Sequence, residues 1–140
     1  MRTDLLAMTV MVLIAAFIPP AAAHHSTMFF DMNAEIVHEN VTVVEFLVAN
    51  PHGVLVYVVT DENGNEVQWQ AELPSANFTM RGGINASMLS PGDLVPSVAG
   101  WPGVPGLTRE NTTRLKSMEF PNGDVAMFTP VSATLTKGAE

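Results

Sequence analysis

Three observations predict a small all-β domain with one short helix. Apolar residues recur with a period of two in several short runs, turn-forming pairs separate those runs, and one helical segment falls between the third run and the fourth. Three strands, a helix and then two or more strands is the order of an OB-like small barrel of five to six strands. A β-sandwich is the alternative.

The first strand covers 35–49, with Val44, Phe46 and Val48 expected on one face. NPHG at 50–53 predicts a tight turn, because Pro51 fixes φ, Gly53 permits a sharp bend and His52 stands at the tip. The continuous apolar run VLVYVV at 54–59 predicts a strand covered on both faces. Asn63-Gly64 within DENGN marks a hairpin, and EVQWQAEL at 66–73 returns with Val67, Trp69, Ala71 and Leu73 on one side. Asp61 to Glu72 has the twelve-residue spacing of a calcium loop, but Glu66 occupies the position that needs glycine, so the hairpin reading prevails.

PSANFTMRGG at 74–83 predicts the short helix, capped by Ser75 and ended by Gly82-Gly83. Asn85 caps one further turn in NASML, and SPGD at 90–93 is a turn. Pro96 inside LVPSVAGW, 94–101, points to an edge or bulged strand. A Pro/Gly-rich loop opened by WPGVPG follows, to about Thr113. LKSMEF and DVAMF flank PNG as a second hairpin, and VSATLT at 131–136 alternates again.

The amino-terminal residues differ in kind. Arg2, an apolar stretch from Leu5 to Ile18, and the small residues Ala21 and Ala23 have the form of a secretory leader cut after Ala23. The stretch is too short for a confident membrane span. The expected organisation is a signal peptide at 1–23, an arm at 24–33 and the barrel domain at 34–137, in the periplasm or secreted, with no stable span after cleavage. The chain has no cysteine, which removes disulfides and thiolate metal sites. A net charge of −8 argues against a nucleic-acid partner. Asn-x-Ser/Thr triplets at Asn40, Asn77, Asn85 and Asn111 matter only in a eukaryotic source.

Cleavage after Ala23 would leave His24 as the first residue, with a free α-amine beside its imidazole. Amine and ring nitrogen can then bind one ion together, and His25, His38 or His52 can add a third nitrogen. Imidazole suits copper, zinc and nickel, and Cu(II) heads the affinity order. The arrangement is similar to the histidine brace of secreted copper proteins. His25 offers a competing planar chelate through the amine, the intervening amide and its own ring. The candidate metal ligands are therefore His24, His25 and His52, and the candidate cofactor is a copper ion. His38, beside Glu39, reads as a surface strand residue. Met28 and Met32 are soft enough for Cu(I), but with Phe29 and Phe30 between them they read first as an apolar arm packed on the barrel.

No complete catalytic set is present: H-E-x-x-H, G-x-S-x-G and a phosphate loop are all missing, so an enzyme is not expected. The expected function is a metal-binding carrier or accessory protein of the envelope, whose partner is a metal ion or an envelope protein. The alternative is a non-metal binding or envelope interaction module. Its ligand would lie between the NPHG turn and the 102–114 loop, with Asn50 and Trp101 as contact residues.

The order of several short motifs resembles a family of small exported bacterial proteins classed only as a domain of unknown function. The motifs are His24-His25-Ser26, Phe29-Phe30-Asp31, Asn50-Pro51-His52, Trp69, Arg81-Gly82, Pro91-Gly92-Asp93 and Gly100-Trp101-Pro102. Gly83-Ile84 departs from the tryptophan that is common in that family after Gly82. The resemblance implies export and a small β domain, and it implies no activity.

Overall fold

The computed structural model describes residues 27–138 as seven strands, one short α-helix and two 3₁₀ turns. The strands are β1 (Ile36–Leu47), β2 (Val54–Thr60), β3 (Glu66–Glu72), β4 (Leu94–Pro102), β5 (Thr112–Glu119), β6 (Val125–Thr129) and β7 (Ser132–Thr136). Helix α1 (Ala76–Arg81) lies between β3 and β4. Hydrogen-bonded neighbours run β3-β2-β1-β4-β5, and β3 also pairs with β5 in parallel, which closes a five-stranded mixed barrel. This is the OB-like order expected from the sequence. The β6–β7 hairpin extends the sheet beyond β5 and folds back on α1, where the Leu135 N–H donates to the Gly82 carbonyl.

The core is the inner face of the barrel. Val41, Val43, Phe46, Leu55, Tyr57, Ala71, Val95, Val98, Leu115 and Met118 meet there, and Leu73, Ile84 and Phe120 cap it. The inward set on β1 differs from the expected one. Val44 is 40% exposed whereas Phe46 is 8% exposed. A bulge between Val43 and Glu45 adds one residue against β2, so Val41 and Val43 point inward before it and Phe46 after it. Strand β2 is not fully covered on both faces: Leu55 and Tyr57 are buried, and the intervening valines are half-buried.

Pro96 does not make β4 an edge, because β4 pairs with both β1 and β5. The β5 ladder begins only at Ser97↔Glu119, and the β1 ladder skips from Glu39↔Ser97 to Val41↔Val95, so no bond is asked of the missing N–H. Asn40, the β1 residue opposite that gap, takes a positive φ of 53°. The Ser75 side chain makes no capping bond. The Ala76 N–H instead donates to the Ala49 carbonyl at 2.9 Å and to Asn50 Oδ1 at 3.1 Å, so the turn after β1 caps α1 from a distance in sequence.

Asn85 caps its turn as expected, accepting from the Ser87 N–H at 3.0 Å. In the β2–β3 hairpin, Asp61 Oδ1 accepts from the N–H groups of Asn63 and Asn65, and Gly64 takes a φ of 82°. That carboxylate is committed to the turn.

The barrel seam depends on Gly100. A methyl group there would lie 2.7 Å from Thr113 Cβ and Oγ1 and 2.9 Å from the Arg114 carbonyl oxygen. Gly100→Ala is therefore expected to destabilise the fold by about 1–3 kcal/mol, as for other overpacked interior sites. Chemical denaturation checks this, and an unchanged midpoint would contradict so close an approach of β4 to β5.

Candidate functional site

The sequence-derived metal ligands divide between described and undescribed parts of the chain. The leader, His24 and His25 lie outside the described residues. His52 is described, and it is not an exposed turn tip. Its side chain is 25% exposed and turns back against the end of β3. His52 Nδ1 stands 3.3 Å from the Leu73 carbonyl oxygen and 3.3 Å from Glu72 Oε1. The following Gly53 is buried and locked to the same segment: its N–H donates to the Pro74 carbonyl, and its own carbonyl accepts from the Leu73 N–H at 2.9 Å. A side chain at Gly53 would meet the Leu47 carbonyl oxygen at 2.5 Å, so the turn that carries His52 has room only for glycine there.

Glu72 joins His52 to the barrel seam. Glu72 and Arg114 are paired positions in the parallel β3–β5 ladder, and Arg114 Nη1 stands 3.3 Å from Glu72 Oε1. Arg114 is 2% exposed, and its Nη2 donates to the Pro130 carbonyl at 3.4 Å. Burial pulls the guanidinium below its ordinary pKa, and the Glu72 carboxylate opposes that shift. The Phe30 ring covers the guanidinium, with Cζ 5.9 Å from the ring centre.

Phe30 is where the amino-terminal arm attaches. It is 6% exposed and bridges to Gly103, while the Asp31 N–H donates to the Pro102 carbonyl and the Val104 N–H to the Phe29 carbonyl. The expected packing of the arm is thus carried by Phe30. Met28, Phe29 and Met32 are exposed at 68%, 42% and 37%. Among the described residues no group of three or more His, Asp, Glu or Cys converges to hold a metal, and His52 with Glu72 is a pair. No helix among the described residues is long and apolar enough to cross a membrane.

The two residues proposed for a non-metal ligand are placed differently from one another. Asn50 Oδ1 serves as the α1 cap. Trp101 is half-buried and pairs with Arg114 across the β4–β5 ladder, which puts both on one face of the sheet. A cleft of about 350 Å³ beside the β4–β5 loop is lined by Ile36, Trp69, Pro102, Pro105, Thr108 and Asn111.

Trp69 belongs to a cluster that sequence reasoning missed. The His38 ring sits 4.4 Å from the Trp69 ring, and His38 Nδ1 is 3.0 Å from the Tyr57 hydroxyl. Burial lowers the His38 pKa and pushes the Tyr57 phenol up to about 12, a nearby Thr113 hydroxyl opposing the second shift only in part. Both rings are therefore held neutral near neutral pH, and the phenol can donate to Nδ1. The missed signal was the alternation of half-buried Ile36 and His38 with exposed Val37 and Glu39.

The chain belongs to DUF6152, a family of unknown function, whose model matches residues 12–110. The match includes His24, His25, His52 and Glu72 and ends before Arg114 and β5. No curated protein and no solved structure matches the chain.

The His38 cluster has a pH signature. A histidine whose pKa is lowered by folding leaves the unfolded chain binding more protons, so stability is complete above the ordinary value of 6.5 and falls as pH drops below it. Thermal denaturation between about pH 8 and pH 5 should show that fall, and His38→Gln should flatten it. An unaltered slope in the variant would remove His38 as a source.

Proposed function

We propose that this member of the family is an exported metal-binding protein of the bacterial envelope, a carrier or accessory protein with copper as the best-suited ion. The leader is removed after Ala23. His24 then supplies its amine and ring nitrogen, and His52 supplies a further imidazole, with His25 as the competing local donor. The free amine has a pKa of about 7.7–8, so its deprotonation on binding is inexpensive near neutral pH.

One observation carries this reading: the root of the arm and the His52 turn meet at one cluster. Phe30 lies on Arg114, Arg114 on Glu72 and Glu72 on His52, through contacts of 5.9, 3.3 and 3.3 Å. Five residues lie between His24 and Phe30, and the last three of them, Thr27–Phe29, form a 3₁₀ turn whose Phe29 carbonyl is held by the Val104 N–H. The reading requires that His24, carried on this arm, reach His52. In this reading His52 is the ligand that comes from the described residues, and the processed terminus would contribute the others.

A second reading, a non-metal binding module, draws support from the cleft lined by Trp69. A lining that joins an indole ring to polar side chains suits a stacked, hydrogen-bonding ligand such as an oligosaccharide or a peptide.

The test uses mature protein with an authentic His24 terminus. A form carrying one extra methionine before His24 should bind Cu(II) at least about tenfold more weakly, equivalent to about 1.4 kcal/mol. His52→Ala should weaken binding further in the authentic form. Equal affinity of the authentic and extended proteins in a competition titration would overturn the terminal chelate. Mass spectrometry of the natural protein should find His24 first.

A further inference from the structure

We propose that the cleft beside the β4–β5 loop binds a short neutral saccharide, of one or two pyranose rings, against the Trp69 indole and the side chains of Arg109, Glu110 and Asn111. This deepens the non-metal reading and rests on it, and it needs no metal.

Both halves of the site are fixed before a ligand arrives. Trp69 stands on β3 opposite Tyr57 of β2. The His38 ring lies 4.4 Å from the indole with its plane tilted by 58°, and His38 Nδ1 is 3.0 Å from the Tyr57 hydroxyl. The indole is thereby braced by a ring that is itself tied down. The loop is bound to itself and to the barrel. The Leu107 and Thr108 N–H groups both donate to the Val104 carbonyl, and the Gly103 N–H donates to the Thr112 carbonyl at 2.8 Å. A side chain at Gly103 would collide with Thr108 Oγ1, so the loop closes tightly on its own first turn. At the other end Asn111 takes a φ of 52°, a conformation asparagine tolerates better than most residues, and its carbonyl accepts from the Gln70 N–H at 3.0 Å.

The chemistry of the lining selects the ligand. Arg109, Glu110 and Asn111 are consecutive, exposed, and line the same cleft as Trp69. Among the described residues their side chains make no hydrogen bond or ion pair, whereas Arg114, Lys116 and Lys137 are each paired with a carboxylate. A guanidinium only donates, an ionised carboxylate only accepts, and an amide does both. Beside an indole, that set matches a ring with an apolar C–H face and several hydroxyls, each of which donates and accepts. The charges of Arg109 and Glu110 offset one another, and a chain of net charge −8 disfavours an anionic sugar. At about 350 Å³ the cleft is at the small end of the roughly 300–1,000 Å³ range of ligand sites, which limits the saccharide to a short one.

A peptide fits less well. Peptides are commonly held by main-chain bonds at an open sheet edge or in grooves lined by several aromatic rings. Here β3 and β5 are already paired with each other at 70–72 and 112–114, and the Thr112 carbonyl is taken by Gly103. Among the described residues Trp69 is the single aromatic side chain of the lining, and Trp101, which the sequence favoured, is not part of it.

The test exploits a chain with two tryptophans. Trp101→Phe leaves Trp69 as the sole indole, so fluorescence then reports on the cleft. Maltose, cellobiose, lactose and N,N′-diacetylchitobiose are titrated into the metal-free mature protein. At least one should change the emission saturably and shift the amide NMR signals of residues 103–112. Asn111→Gly, which accommodates the positive φ, should weaken that binding about 3- to 10-fold. Trp69→Leu, which keeps apolar bulk but removes the indole, should weaken it about tenfold by NMR with an unchanged circular dichroism spectrum. Saturable binding that ignores both substitutions would overturn the site. So would the absence of any response to all four sugars up to about 50 mM, an affinity too weak to count as recognition. Tetra-alanine and tetraproline run in parallel separate the two levels. A peptide that binds where no sugar does removes the saccharide and leaves the non-metal reading standing, and silence from sugars and peptides alike removes both.

Discussion

The parallel pairing of β3 with β5 is the constraint on which the rest depends. Only three positions are paired, Gln70↔Thr112, Ala71↔Thr113 and Glu72↔Arg114, yet they turn an open sheet into a closed barrel. Closure removes two sheet edges and buries the inner face on all sides. It also draws a guanidinium out of water. An unpaired buried charge is costly, and breaking one partner of such a pair commonly costs about 3–5 kcal/mol, so Glu72 and the Pro130 carbonyl are structural requirements of the seam as well as features of the site. Gly100 belongs to the same requirement, since any larger residue would hold β4 away from Thr113 and Arg114.

The seam explains why a turn, a strand end and the amino-terminal arm converge. The NPHG turn is pinned to 72–74 by main-chain bonds and caps α1 through Asn50. Phe30 closes over Arg114 from the other side. The helix cap, His52 and the arm are thus set by one small region at the end of β3. A change there would be felt in all three.

The strand order and most turns were legible in the sequence because their causes are local. Gly64, Gly92 and Gly123 take the positive φ that their turns require, and the alternation in EVQWQAEL marks one face without help from partners. The inward set on β1 was not legible, because a bulge shifts the register by one and nothing near Val44 announces it. Of the two readings Pro96 allowed, edge or bulged, the edge was wrong for a related reason: whether a missing N–H matters depends on where the neighbouring ladders start. In the candidate site, His52 stood out by its turn. Arg114 did not, since its burial follows from a pairing between strands more than forty residues apart. Glu72 read as the wet face of an alternating strand, which it is, on a face that Arg114 and His52 then partly cover.

In the proposed reading, the closed barrel contributes one imidazole, and that alone would make a poor metal site. Rigid elements hold a ligand more accurately than loops do, and His52, although on a turn, is tied to β3 on both sides of its ring attachment. In the proposed reading the other half arrives on a short tether anchored at Phe30. Tethering raises the effective concentration of the terminal amine at the rim far above what free peptide would reach, while leaving it able to depart. That division suits a carrier better than a catalyst. A fully rigid cage would hold an ion too long to pass it on, whereas the proposed site could open by releasing the terminal ligand alone.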